Sequence, residues 1–98
     1  MENKKNQHIR PIKSFTFPIE NMRVLDYCRS KSGIYAVENT KTGDLYIGSA
    51  VTGEVKASKG LYKRYRAHLV EGKSPSKRLR EDIANEGIEQ FSFHVLET

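Results

Sequence analysis

Residues 33–48 read GIYAVENTKTGDLYIG, and the rest of the chain is organised around them. Apolar residues and β-formers dominate 34–39 and return at 45–47. Between them, Lys41-Thr42-Gly43-Asp44 has a glycine where a tight turn wants positive φ. The pattern predicts a β-hairpin. A loop of two residues (Thr42, Gly43) or of four (41–44) sets Thr40 opposite Leu45, Asn39 opposite Tyr46 and Val37 opposite Gly48. Side chains alternate across a strand, so Tyr35, Val37, Asn39, Tyr46 and Gly48 then share one face. A loop of three residues would put the two tyrosines on opposite faces. Two phenols beside a glycine gap make a floor for a site. Periodicity alone fits packing at least as well, because tyrosine suits any half-buried pleated surface.

The 98 residues allow one small domain with one modest core. Hydrophobic residues are 37% and charged residues 30%, a balance that fits a soluble globular chain. No apolar run approaches the roughly 18 residues that span a membrane, and the first ten residues hold no apolar segment of a signal peptide. The lone cysteine, Cys28, excludes an internal disulfide and fits a reducing, intracellular compartment. One cysteine and three scattered histidines give no zinc-ligand spacing. The formal net charge of +5 points to a polyanionic partner. That charge is uneven. Residues 1–32 carry seven Lys or Arg against three acids, and residues 33–98 carry ten against nine. The excess lies on a basic arm over 1–31, expected to be largely flexible, which serves either as a solubilising tail or as a loose phosphate-binding arm. Within it, Phe15, Phe17 and Ile19 alternate as a short extended piece would, and 20–29 has the spacing of a short helix. Cys28 has no base partner in the pattern and reads as a small buried hydrophobe.

After the hairpin, residues 58–72 read SKGLYKRYRAHLVEG and predict a helix. Ser58 is a cap, Gly72 a terminator, and Leu61, Tyr62, Tyr65 and Leu69 form the core stripe. Lys59, Lys63 and Arg66 fall on a second face. Arg64 and His68, four apart, share a third. By themselves these read as a solvated face and as surface residues flanking the core. A second helix is expected over 75–86, capped by Ser74 with Pro75 at the first helical position. Leu79, Ile83 and Ala84 make its buried edge, and Lys77, Arg78 and Arg80 lie in its first turns, against the helix dipole. Residues 90–96 alternate as a strand, with Phe91, Phe93 and Val95 inward and Ser92 and His94 outward.

Gly33-Ile34-Tyr35 followed at hairpin distance by Tyr46-Ile47-Gly48 resembles the two words that name the GIY-YIG nuclease family. The resemblance extends from about Ser32 through the first helix to about Glu97. Gly33 and Gly48 are its structural glycines. The fold it implies over 32–98 is α+β, a small β-β-α-α-β domain with a three-stranded antiparallel sheet, without the helix that follows the third strand in that family. The activity it implies is hydrolysis of DNA phosphodiester bonds by an endonuclease of the homing or mobile-intron type. In that reading Tyr35, with a lowered pKa, takes a proton from the attacking water and Tyr46 supports it through hydrogen bonds. Arg64 binds the scissile phosphate, and His68 takes a proton from Tyr35 or positions the phosphate. Lys56, Lys59, Lys63 and Arg66 are the candidate DNA contacts. The resemblance also implies a divalent metal, Mg2+ or Mn2+, held in the family by a Glu on the helix after the third strand. No residue here occupies that position, and Glu97 at the strand end is a poor substitute. The expectations that follow are a catalytically inactive nucleic-acid-binding remnant, a site completed by a homodimer partner or second polypeptide, or an interaction domain with vestigial likeness. A mobile-intron relative suits cytoplasm or organelle equally.

Overall fold

The structure is a computed structural model that describes residues 9–29, 31–50 and 60–98, together with the backbone of residues 2–5. Its elements are β1 (Glu2–Lys5), β2 (Lys13–Phe15), α1 (Asn21–Cys28), β3 (Gly33–Asn39), β4 (Asp44–Ala50), α2 (Gly60–Leu69), α3 (Lys77–Glu86) and β5 (Phe91–Glu97), with a single 3-10 turn at Ile88–Gln90 leading into β5. The fold is α+β with an antiparallel sheet, as the hairpin, two helical segments and last strand predict. Among the described residues no helix is long and apolar enough to cross a membrane.

The sheet is wider than expected. Its five strands run in the order β1-β4-β3-β5-β2. The expected three-stranded sheet is its centre, and the amino-terminal arm supplies both edges. Lys13 pairs with Val95 and Phe15 with Phe93, while Glu2–Lys5 pair with Ile47 to Asp44. The described part of the arm is therefore not a free tail. The physical reason is that β4 and β5 would otherwise present unpaired backbone groups along a sheet edge, and the arm satisfies them. Phe15 reaches the core, but Phe17 is exposed, so the expected extended piece ends after β2.

The hairpin keeps its predicted face but not its predicted register. Tyr35 lies opposite Gly48, Val37 opposite Tyr46 and Glu38 opposite Leu45, a shift of two residues from the expected pairing. A shift of two preserves facing, because the side-chain period is two. The cause is Asn39. Its backbone carbonyl accepts from Gly43 N–H at 2.8 Å, and its side-chain oxygen accepts from Lys41 N–H at 3.0 Å and Thr42 N–H at 3.4 Å. The loop is thus 40–43, closed by Gly43 at φ 84°.

One row of side chains crosses four strands. Tyr46, Val37, Phe93 and Phe15 are register partners in turn and all are buried. Val24 and Cys28 of α1, Leu61 and Tyr65 of α2 and Leu79 of α3 pack in the same core. Burial pushes the Cys28 thiol up to about 11, as a packed hydrophobe requires. On the other face, Ser92 and His94 point outward as alternation predicts, yet both are buried. His94 bonds Ser14 Oγ and the Glu38 carboxylate, each at 2.8 Å, because β2 has made β5 an interior strand. On α3, Leu79 is buried and Ile83 half-buried, while Ala84, expected at the buried edge, is exposed.

Gly33 has a packing reason of its own. A Cβ there would stand 1.9 Å from the Glu97 carbonyl oxygen, a backbone atom with no freedom to rotate away. Gly33→Ala should therefore destabilise the domain by about 1–3 kcal/mol through displacement of β5. Thermal melts should show a Tm lower by roughly 4–8 °C per kcal/mol, whereas an unchanged Tm would mean that β5 does not close against Gly33.

Candidate active site

Gly48 creates the space in which the site is built. Its missing side chain lets the Tyr35 ring lie across the hairpin, and a Cβ at Gly48 would meet the Tyr35 hydroxyl at 2.6 Å. Phe93, on the neighbouring strand, stacks on the Tyr35 ring with centroids 5.5 Å apart. The phenol is held from both sides and points toward α2.

There it meets His68. Leu61, Tyr65 and His68 recur at helical spacing, so His68 falls on the buried stripe of α2 and not on a surface flank. Tyr35 OH and His68 Nε2 lie 2.7 Å apart, and His68 Nδ1 lies 2.8 Å from Ser74 Oγ. Ser74 is in the α2–α3 connection. It was expected to cap α3, but Ser76 does so, accepting from Leu79 N–H at 3.2 Å. Ser76 is the residue with extended backbone next to the helix, the geometry a cap needs, and this frees Ser74 to turn inward.

Arg64 lies one turn before His68 and is exposed. It makes no hydrogen bond or ion pair among the described residues. Its charge acts on both buried groups below it. Burial lowers the His68 value, and Arg64 lowers it further, to about 4, so the imidazole is neutral at ordinary pH. Burial raises Tyr35 above the usual phenol value, and Arg64 opposes this only in part. The lowered phenol expected at Tyr35 is therefore not what the fold provides; desolvation outweighs the cation.

Tyr46 shares the face but has a different partner. It does not bond Tyr35. Its hydroxyl donates to Asp82 Oδ2 of α3 at 2.9 Å, and Asn39 Nδ2 donates to both oxygens of the same carboxylate at 3.2 and 3.3 Å. Burial, the Asp82 hydrogen bond and the Asp82 and Asp44 charges push Tyr46 up to about 12, with Arg78 opposing them. Tyr46 is a permanent donor that ties the hairpin to α3.

The predicted basic face is partly placed. Lys56 and Lys59 lie outside the described residues. Lys63 is exposed without a partner among them. Arg66 lies over the Tyr62 ring and pairs with Glu71 at 3.2 Å, so its charge is partly answered. Ser74, Asn39 and Asp82 were not singled out in the sequence. Ser74 read as a cap, and Asp82 as one acid among several on α3.

The groups at the Tyr35 corner are a phenol, an imidazole and a guanidinium. This set suits an anion, whereas a hard dication wants carboxylate oxygens. Asp82 is engaged by Tyr46 and Asn39, and Glu97 is exposed at the end of β5. The described residues hold no group of three or more His, Cys, Asp or Glu fit to bind a metal ion. The implied Mg2+ or Mn2+ thus has no matching donor set among the described residues. Compared with known proteins, the chain matches no family model and no solved structure.

Neutral His68 makes a signed prediction. Its folded value of about 4 lies below the ordinary 6.5, so the unfolded chain protonates first. The contribution is complete above pH 6.5, declines as pH falls toward 4 and changes no further below that. Its size is about 3 kcal/mol. Urea titrations across this window should show the stability gap between the protein and His68→Gln narrowing by that amount on acidification. A constant gap would place an exposed imidazole at this position.

Proposed function

We propose that this domain binds a nucleic-acid phosphodiester at the Arg64–Tyr35–His68 corner and cleaves it, in the manner of the GIY-YIG nucleases that it resembles. The observation that supports the reading is the 2.7 Å contact of Tyr35 OH with His68 Nε2, with the exposed Arg64 guanidinium one turn away and without a hydrogen bond or ion pair among the described residues. Tyr35, Gly48, Arg64 and His68 are all residues of the resemblance; Tyr35 lies over Gly48 and bonds His68, and the Arg64 charge acts on both Tyr35 and His68.

The chemistry follows from what each group does. Arg64 presents a planar fork to two phosphate oxygens. A phosphate seated there also offsets the Arg64 charge that depresses His68, so substrate binding makes the imidazole a better base. Tyr35 then acts as a relay. A water proton passes to the phenol oxygen as the phenol proton passes to His68 Nε2, and the hydroxide attacks phosphorus. The P–O bond to the leaving oxygen breaks, and that oxygen takes a proton from solvent. Tyr46 contributes by holding α3 to the hairpin. The basic arm and Lys63 add charge that draws the polyanion regardless of sequence.

A second reading has a specific observation behind it. The described residues hold no group of three or more His, Cys, Asp or Glu fit to bind a metal ion, and this favours a domain that binds nucleic acid without cutting it.

Nicking of supercoiled plasmid at low salt, with and without magnesium or manganese, separates the two. For the nuclease, Tyr35→Phe should lower the rate on the order of 100- to 10,000-fold, and Arg64→Ala on the order of 100- to 1,000-fold. Arg64→Ala, at an exposed position, should keep its Tm within experimental spread. DNA retained but uncut would favour the binding module. Neither retention nor nicking would defeat both readings.

A further inference from the structure

We propose that Ser14 is a nucleophile, that His94 is its base and that Glu38 orients the imidazole, the three together hydrolysing carboxylic esters of small apolar acyl groups. The site lies on the face of the sheet away from Tyr35 and does not rest on the nuclease reading.

Ser14, His94 and Glu38 stand on three neighbouring strands, β2, β5 and β3. Ser14 and His94 are register partners, so their side chains share a face. Glu38 is two residues along β3 from Ala36, the partner of His94 on that side, and so shares the face too. Ser14 Oγ is 2.8 Å from His94 Nδ1, and Glu38 Oε1 is 2.8 Å from His94 Nε2. The second contact settles the direction of the first. An ionised carboxylate only accepts hydrogen bonds. Nε2 therefore carries the hydrogen that points at Glu38, and in the neutral imidazole Nδ1 is left with its lone pair. The Ser14 hydroxyl donates to that lone pair. This is the relation of nucleophile, base and orienting acid in a serine hydrolase, with the two ring nitrogens exchanged.

Exposure is distributed as this chemistry needs. His94 is 7% exposed, so bulk water does not compete for Nδ1. Ser14 is exposed and open to a substrate, and Glu38 is half-buried. β2 ends the sheet, so alternate backbone N–H groups along it point away from β5 and offer donors to an oxyanion forming beside Ser14. A cavity of about 660 Å³ borders Ser14, and Phe15, Pro18, Ile19 and Tyr27 give it apolar walls that suit an apolar acyl group.

Ser14 Oγ attacks the ester carbonyl carbon as its proton passes to Nδ1. The C–O bond to the alcohol breaks, the alcohol oxygen takes that proton, and the acyl group stays on Ser14. Water then attacks the acyl carbon, giving a proton to Nδ1. The acyl–Oγ bond breaks, Oγ recovers the proton, and the carboxylic acid leaves.

The test treats the full chain at about pH 8, above the ordinary imidazole range, with p-nitrophenyl acetate and, separately, with a fluorophosphonate. Intact mass and peptide mapping locate the fluorophosphonate. The expected result is a single group on Ser14 and p-nitrophenolate release that continues past one equivalent, both lost in Ser14→Ala. Glu38→Gln, whose amide lets the ring take the other tautomer, should slow acylation on the order of 100-fold or more, and His94→Gln likewise. Native protein left unmodified at Ser14 would overturn the proposal, as would Ser14 labelling equally fast in Glu38→Gln. Release that stops at one equivalent would overturn the hydrolase assignment. If the buried His94→Gln does not fold, Ser14→Ala and Glu38→Gln still decide.

Discussion

The placement of Tyr35 opposite a residue with no side chain is the constraint on which the site depends. The hairpin register fixes that pairing, and Asn39 fixes the register by taking the amide groups of the turn. The phenol fills the gap over Gly48, stacks on Phe93 and reaches α2 at the level of His68. A large aromatic placed this way serves two ends. Its ring contributes apolar burial to the core, and its hydroxyl is delivered to a particular partner on a particular helix. A shift of β3 against β4 by one residue would put the two tyrosines on opposite faces.

The two phenols of the hairpin have been put to different uses by what packs over them. Tyr46 lies under α3 and is committed to Asp82; burial first, and Asp82 after it, push it up to about 12. Tyr35 lies under α2, against an imidazole that burial keeps neutral and an arginine that no described carboxylate answers. One is a fastener and the other is available. The same strand residue type thus acquires its role from the helix above it. The two helices differ because the α2–α3 connection sends Ser74 inward and leaves Ser76 to begin α3.

Much of this was legible in the chain. The common face of Tyr35, Tyr46 and Gly48, the two helices with their glycine ends, and the alternation of Phe91, Phe93 and Val95 all follow from period and turn chemistry. The hairpin register was not legible, because Gly43 suits loops of several lengths and only the Asn39 side chain selects one. Nor was the capping serine. Ser74 and Ser76 flank Pro75 with similar credentials, and the choice depends on His68, which is near in space but belongs to another helix. Asp82 becomes informative only once α3 is known to lie over Tyr46. The arm misled for a different reason. Glu-Asn-Lys-Lys has no strand propensity, and a sheet edge can recruit such a segment through backbone hydrogen bonds alone. Lys56 and Lys59 lie outside the described residues.

The pairing of β2 with β5 joins residues about eighty positions apart, as Ser14 and His94 illustrate. A ribosome delivers Lys13–Phe15 early, but their hydrogen-bonding partners emerge only with Phe91–Glu97. Until then the early strand has no template, and the core row that ends in Phe15 cannot close. Folding of this domain is therefore governed by a long-range closure, which is slow compared with local helix formation. The nascent chain must carry an unpaired, aromatic-bearing strand until Phe91–Glu97 have been made, a state that favours engagement by chaperones.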